Sequence, residues 1–241
     1  MENNNRLYGK TILWNGDSIC AGSEREGSWA TRIAERNAMQ YKNYAVGGGT
    51  VAESNVLRQT GKVRHSVSGT LDLMFEEYPN ADYVILEGGT NDADLLGNAV
   101  FGDKPTKLGS FEKSDYSGNY DRNTFCGALE SVFYRATKYW MDKKIGFIVA
   151  QKMAACGSAE YENRRIYFDR AVEICKKWGI PYIDLWNGCY LNPYLPYMYD
   201  ATKPKEENHA ENTGYYCDGQ HLTKKGYDFT ADLIETWLKK L

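Results

Sequence analysis

The chain has 241 residues, of which 42% are hydrophobic and 25% are charged, a composition typical of a globular protein with one buried core. Its 29 basic and 32 acidic side chains give a formal net charge of −3, which argues against a nucleic-acid or anionic-membrane partner. No stretch is long and apolar enough to span a bilayer, and no apolar run typical of a signal peptide begins the chain. We predict a single domain over residues 1–241.

Five short apolar runs, rich in Val, Ile and Tyr and flanked by glycine, predict buried parallel strands. In chain order they cover residues 11–14, 44–46, 83–86, 145–150 and 180–185. Amphipathic segments with helical spacing of apolar residues alternate with them. These segments cover residues 29–34, 71–78, 125–144, 160–178 and 222–241. Strands that alternate with helices predict a three-layer α/β/α sandwich around about five parallel strands.

Two long segments, 93–123 and 187–217, break this alternation, and both are polar and rich in tyrosine and glycine or proline. Loops of this length in a compact domain are usually functional or disordered. We expect both to leave the carboxyl ends of strands, where ligands bind in open α/β sheets.

The six cysteines form no compact framework of the kind seen in disulfide-rich domains. They are Cys20, Cys126, Cys156, Cys175, Cys189 and Cys217. No Cys-x-x-Cys pair is present, which argues against a zinc site. We predict reduced, mostly buried thiols and a cytoplasmic protein.

Ser18 follows the first predicted strand in Asn15-Gly16-Asp17-Ser18. A serine at a strand-to-helix turn presents its hydroxyl above the edge of the sheet, among the free N–H groups of a helix N-terminus. Asp and Ser are also the usual helix-capping residues, so this tripeptide alone is weak evidence of catalysis.

Asp218 and His221 lie three residues apart in Asp218-Gly219-Gln220-His221-Leu222, just before the last predicted helix. This spacing lets the carboxylate hold Nδ1 of the imidazole, so that Nε2 can accept a serine proton. The other two histidines, His65 and His209, occur in polar stretches, and we expect both to be solvated at the surface.

Two further polar motifs follow predicted strands. Three glycines, Gly47 to Gly49, permit a close backbone approach and an exposed N–H group, or could cradle a phosphate. Asn91, in Gly-Thr-Asn-Asp, can direct its amide into a cleft as an oxyanion donor, or can simply form a turn. The neighbouring carboxylates of Asp17 and Asp92 are expected to hold loops by accepting backbone N–H groups.

In this order, the four motifs resemble the sequence blocks of the GDSL/SGNH hydrolases, and the resemblance extends from residue 12 to the last helix. The motif residues are Ser18 in Gly-Asp-Ser-Ile, Gly48 in the glycine run, Asn91, and His221 with Asp218. The first motif has Ile19 where the family name has leucine, and Gly47 or Gly49 could take the place of Gly48.

The resemblance implies a flavodoxin-like parallel sheet and hydrolysis of esters or thioesters without a metal or other cofactor. It implies that Ser18, Asp218 and His221 form a catalytic triad. It further implies an oxyanion hole built from the N–H groups of Ser18 and Gly48 and the amide of Asn91. Cys20, two residues beyond Ser18, is expected to be buried and structural.

The substrate expectation depends on the tyrosines of the two long segments, since aromatic faces beside polar groups suit sugars and small polar alcohols. They are Tyr116, Tyr120, Tyr190, Tyr194, Tyr197, Tyr199, Tyr215 and Tyr216. We expect a short-chain, acetyl-type ester of a small or carbohydrate alcohol. Lysophospholipase, thioesterase or acyltransferase activity, a non-catalytic binding module and a flavin or nucleotide binder are the alternatives.

Overall fold

A computed structural model of the protein describes residues 5–54, 65–94, 106–154, 158–211 and 214–241. Within these residues, one sheet of five strands is formed, and every neighbouring pair is parallel. The strands are β1 (Thr11–Asn15), β2 (Gln40–Asn43), β3 (Tyr83–Glu87), β4 (Lys144–Val149) and β5 (Tyr182–Asp184). Their order across the sheet is β2-β1-β3-β4-β5, the flavodoxin-like order. The predicted α/β class, with about five parallel strands, is confirmed.

Eight helices are present in the described part of the chain. They are α1 (Ser18–Ala21), α2 (Trp29–Asn37), α3 (Val67–Glu77), α4 (Phe125–Tyr139), α5 (Ser158–Trp178), α6 (Leu185–Gly188), α7 (Lys205–Glu211) and α8 (Lys224–Leu238). The five predicted helical segments correspond to α2, α3, α4, α5 and α8, whereas the short helices α1, α6 and α7 were not predicted. Helix α7 lies within the predicted loop 187–217.

The helices cover both faces of the sheet. Helix α2 contacts α8, and α4 contacts both α3 and α5. On β4, the ring of Phe147 packs edge-on against Phe133 of α4, with 6.0 Å between ring centroids. A Cβ on the preceding Gly146 would lie 2.5 Å from the Trp237 side chain of α8. Because successive strand residues point to opposite faces, helices flank both sides, as predicted for three layers.

The predicted strand at 44–46 is wrong in position, since β2 occupies Gln40–Asn43. Among the described strands, β2 pairs only with β1, and its residues are exposed or half-buried. It therefore carries no apolar run for sequence reasoning to detect. The chain still follows β1 beyond β2, because Tyr44 N–H donates to the carbonyl of Trp14 at 2.8 Å. The next residues therefore reach the carboxyl end of β1.

The five cysteines within the described residues are buried free thiols, as predicted, and Cys156 lies outside these residues. Burial raises the pKa of the Cys20 thiol well above its ordinary value, and the carboxyls of Glu87 and Asp17 add to the effect. Cys20 therefore has the inert character expected for it. None of the described helices combines the length and the apolar character needed to cross a membrane.

Candidate active site

Ser18 is the first residue of α1, three residues beyond the end of β1. The helix begins there because Asp17 caps it, with Oδ1 accepting the N–H of Ile19 at 2.8 Å. Asp17 is fully buried, whereas Ser18 is half-buried. The turn therefore fixes the backbone of Ser18 in the protein interior and leaves its hydroxyl accessible at the carboxyl edge of the sheet.

His221 meets Ser18 from the other end of the chain. Its Nε2 lies 2.9 Å from Oγ of Ser18, and its Nδ1 lies 2.8 Å from Oδ2 of Asp218. Oδ1 of Asp218 also accepts the backbone N–H groups of Gln220 at 3.1 Å and His221 at 2.7 Å. One carboxylate thus fixes both the backbone and the ring of His221.

The ionised form of Asp218 is strongly favoured at this position. Burial by itself would raise the pKa of this carboxyl, but hydrogen bonds and charge from His221 and Lys205 hold the pKa well below its ordinary value. Asp218 is therefore a carboxylate at neutral pH, which is the form that orients an imidazole and stabilises its protonated state.

The glycine run lies beside Ser18, and the predicted oxyanion donor Asn91 is bonded to that run. A Cβ added to Gly47 would lie 3.9 Å from Cβ of Ser18, so this loop passes beside Ser18. Gly48 has φ of 76°, a left-handed conformation that favours glycine. The amide Nδ2 of Asn91 donates to the carbonyl of Gly49 at 2.9 Å and joins the two predicted motifs.

Asp92 holds the same loop in the way predicted from the sequence. Its Oδ2 accepts the N–H of Val51 at 2.7 Å, and its Oδ1 accepts that of Ala52 at 3.2 Å. Asp92 is fully buried, so these bonds anchor the chain just after the glycine run to the segment that follows β3.

A cleft of about 380 Å³ opens beside the hydroxyl of Ser18. Ser18 and His221 form part of its wall, together with Gly22, Ser23, Arg25, Glu26, Lys205, His209, Cys217, Leu222 and Tyr227. Its wall therefore carries several charged and polar side chains. Lys205 was not predicted as a site residue, because a lysine in a polar loop gives no signal in the sequence.

The predictions for His65 and His209 are wrong, since neither side chain is fully solvated. His65 is half-buried, with Nε2 lying 3.1 Å from Oδ1 of Asn15, and burial lowers its pKa. His209 borders the cleft and places Nδ1 2.6 Å from Oε1 of Glu26. Both contacts join residues far apart in sequence, which a polar local context could not indicate.

The loop tyrosines contribute less to the cleft than predicted. Among the described residues, Tyr227 of α8 lines the cleft, whereas none of the eight loop tyrosines named from the sequence does. Tyr116 and Tyr120 pack edge-on against Trp178, and Tyr216 is completely buried. Among the described residues, no group of three His, Cys, Asp or Glu side chains is arranged to hold a metal ion.

Solved structures share this fold over nearly the whole chain. A protein from Lactobacillus plantarum is 18% identical with a TM-score of 0.72, and the match covers 98% of this chain and 99% of that one. A lipase/acylhydrolase from Enterococcus faecalis is 18% identical with a TM-score of 0.58, covering 96% of each chain. A carbohydrate acetylesterase from Sinorhizobium meliloti is 14% identical with a TM-score of 0.60, covering 95% of this chain and 98% of that one.

No curated protein sequence matches the chain. The sequence model of the GDSL-like Lipase/Acylhydrolase family, by contrast, matches residues 15–229. This range includes all four motifs described above and most of the sheet and its helices. The chain therefore belongs to the GDSL-like lipase/acylhydrolase family of ester hydrolases.

Proposed function

We propose that the protein hydrolyses short-chain esters, above all acetyl esters of small polar or carbohydrate alcohols, through an acyl-enzyme on Ser18. The observation that carries this proposal is the continuous series of short contacts from Ser18 through His221 to Asp218, 2.9 Å and 2.8 Å long. A serine hydroxyl is a weak nucleophile until an adjacent base removes its proton. In this arrangement, His221 is that base.

In the first half-reaction, Oγ of Ser18 attacks the acyl carbon while Nε2 of His221 takes the hydroxyl proton. Asp218 stabilises the resulting imidazolium, and His221 then gives its proton to the leaving alcohol. In the second half-reaction, His221 activates a water molecule that attacks the acyl-serine, and the acid is released. The ester bond is broken, one water is consumed, and Ser18 regains its proton.

The negative charge that develops on the acyl oxygen needs donors that are already in place. We assign this role to the N–H groups of Ser18 and Gly48 and to the amide of Asn91. One amide N–H of Asn91 holds the carbonyl of Gly49, and an amide nitrogen carries two N–H donors. The second N–H is the one that we assign to the oxyanion.

The preference for a short acyl group and a polar alcohol is supported by the cleft. Its wall includes the charged side chains of Arg25, Glu26 and Lys205 beside Ser18. A long alkyl chain gains most from a continuous apolar surface, whereas these groups would have to lose water against it. The fold shared with a carbohydrate acetylesterase is compatible with this class of substrate.

The test is hydrolysis of p-nitrophenyl acetate, butyrate and octanoate, and acetate release from a peracetylated monosaccharide, by the wild type and Ser18→Ala. We expect Ser18→Ala to reduce kcat by about 10³-fold or more and the wild type to have its highest kcat/KM on acetate. Ser23→Ala is a matched control, because Ser23 lies on the same cleft wall and its hydroxyl accepts the N–H of Glu26 instead.

Two results would contradict the proposal. Full activity in Ser18→Ala would remove Ser18 as the nucleophile. A higher kcat/KM for octanoate than for acetate would reject the short-chain preference and favour a lipase or lysophospholipase instead.

A further inference from the structure

A second carboxyl group lies buried directly under the Ser18 turn. Glu87 is the last residue of β3 and has no exposed surface. Its Oε2 accepts the backbone N–H of Asp17 at 3.0 Å. A Cβ on Gly16 would lie 2.5 Å from the same Oε2, so the turn between β1 and α1 rests on the Glu87 carboxyl.

Two oxygens of this pair of acids are buried and lack a donor. They are Oε1 of Glu87 and Oδ2 of Asp17. The two carboxyl groups are nevertheless neighbours, since Oε2 of Glu87 accepts the N–H of Asp17, and a proton on one acid would give the bare oxygen of the other its donor. Two carboxylates offer acceptors only, so a bond between them requires that one of the two carries a proton.

Glu87 is the better place for that proton. Burial raises the pKa of Asp17 as well, but Oδ1 of Asp17 accepts the N–H of Ile19 at 2.8 Å, and this bond favours the ionised form of Asp17. Burial raises the pKa of Glu87 well above its ordinary value, and the neighbouring charges of Asp17 and Asp92 raise it further.

Two further titratable groups near Glu87 in the described part of the chain do not supply a positive charge. They are Cys20 of α1 and Tyr227 of α8, and burial raises the pKa of each well above its ordinary value. Both are therefore neutral near pH 7, and an ionised Glu87 would have no countercharge among these groups. An unpaired buried carboxylate is far more costly than a buried neutral acid.

We propose that Glu87 is a positioning residue that acts in its neutral form, donating its O–H to Asp17 and accepting the N–H of Asp17. These two bonds clamp the residue that precedes Ser18 from both its backbone and its side chain. The clamp fixes the direction in which Ser18 presents its hydroxyl to His221. This role in catalysis rests on the proposed function, whereas the protonation state of Glu87 does not.

Glu87→Gln is the informative variant, because an amide copies a neutral acid in shape and in having one donor side and one acceptor side. We expect its kcat at pH 7 to lie within about twofold of the wild type. Glu87→Leu has a similar size but neither bond, and we expect it to lower both Tm and kcat.

The second readout is the pH dependence of stability. A group whose folded pKa is raised stabilises the fold fully below its unfolded pKa, and this contribution is lost as pH rises through the folded pKa. Keeping Glu87 protonated therefore lowers the free energy of unfolding of the wild type, and the loss increases from pH 5 to pH 8.5. Glu87→Gln has no such loss. The Tm of Glu87→Gln relative to the wild type should rise steadily over this range.

The opposite slope, or a Tm loss that is equal at every pH with a large loss of kcat, would show an ionised Glu87 and overturn the proposal. Infrared spectroscopy at pH 7 gives an independent check, since the carbonyl band of a neutral carboxylic acid should be present in the wild type and absent from Glu87→Gln. Neither measurement requires esterase activity. An inactive wild type with both signatures would reject the proposed function and keep the protonation state.

Discussion

Two donors converge on one oxygen of Asp218. Nδ1 of His221 lies 2.8 Å from Oδ2, and Nζ of Lys205 lies 2.7 Å from the same atom. The ammonium group of Lys205 partly neutralises the negative charge of Asp218, which would otherwise stabilise a protonated His221. Lys205 and His221 thus share one carboxylate oxygen of Asp218.

Lys205→Met should leave the carboxylate of Asp218 to His221 alone, and kcat/KM should then depend more steeply on pH below neutral. Exposed ion pairs are typically worth about 0.2–1 kcal/mol, so kcat/KM on p-nitrophenyl acetate should fall about two- to fivefold at pH 6 and little at pH 8. Lys10→Met is the control, since Lys10 pairs with Asp82 and has the same 47% side-chain exposure as Lys205. A uniform loss across the pH range would instead indicate a role in binding substrate.

The start of α8 determines where His221 lies. Thr223 is the N-cap of α8, two residues after His221, and its Oγ1 accepts the N–H of Gly226 at 3.3 Å. The same hydroxyl donates to the carbonyl of Gly214 at 2.8 Å. It therefore ties the first turn of α8 to the segment that leads into Asp218.

Thr223→Ala should lower the free energy of unfolding by about 1 kcal/mol, which corresponds to a Tm decrease of about 2–4 °C in a protein of this size. It should also reduce kcat on p-nitrophenyl acetate, because His221 loses part of its support. Thr236→Ala is the control on the same helix: Thr236 is exposed, and its hydroxyl donates to the Asp232 carbonyl one turn back. Equal Tm and kcat in both variants would show that the cap does not position His221.

Sequence reasoning located the elements whose burial produces an apolar run in their own residues. Strands β1, β3 and β4 are mostly buried and appear as apolar runs, whereas β2 is exposed and was placed a few residues too late. Ser18, Asp218 and His221, which contact one another in the structure, could be singled out because each lies in a short motif at an element boundary. Glu87 and Lys205 were missed because their partners Asp17 and Asp218 become neighbours only in the folded chain.

Packing of α2 against α8 brings the two ends of the chain together. Nε of Arg32 in α2 lies 2.6 Å from Oδ1 of Asp228 in α8, and Trp29 Nε1 donates to Oγ1 of Thr230 at 2.8 Å. Ser18 lies before α2 and His221 lies before α8. The contact between these helices therefore supports the distance between the two groups proposed to react.

The stability of the protein at low pH should depend on the contact between α2 and α8. Burial would raise the pKa of both Asp228 and Glu235 in α8. Hydrogen bonds from Arg32 and Lys224 to Asp228, and the bond from Lys239 and the charge of Arg36 at Glu235, instead hold each pKa below its ordinary value of 3.8 or 4.5. A depressed folded pKa gives stability that is present above the unfolded pKa and lost as pH falls through the folded value. The double variant Asp228→Asn, Glu235→Gln should thus have a lower Tm than the wild type at pH 7.

That difference in Tm should shrink as the pH is lowered from about 5 to about 3, because the wild-type carboxyls then become protonated and lose the same interactions. Calorimetry of both proteins across this range measures the gap directly. Glu162→Gln serves as the control, since Glu162 forms an exposed ion pair with Arg165 within α5 and pairs of this kind contribute little. A Tm gap for the double variant that stays constant down to pH 3 would show that packing, and not charge, joins α2 to α8. The Tm gap between Glu87→Gln and the wild type should instead change as the pH is raised. The two sets of variants would therefore report separately on the loss of stability in acid and in alkali.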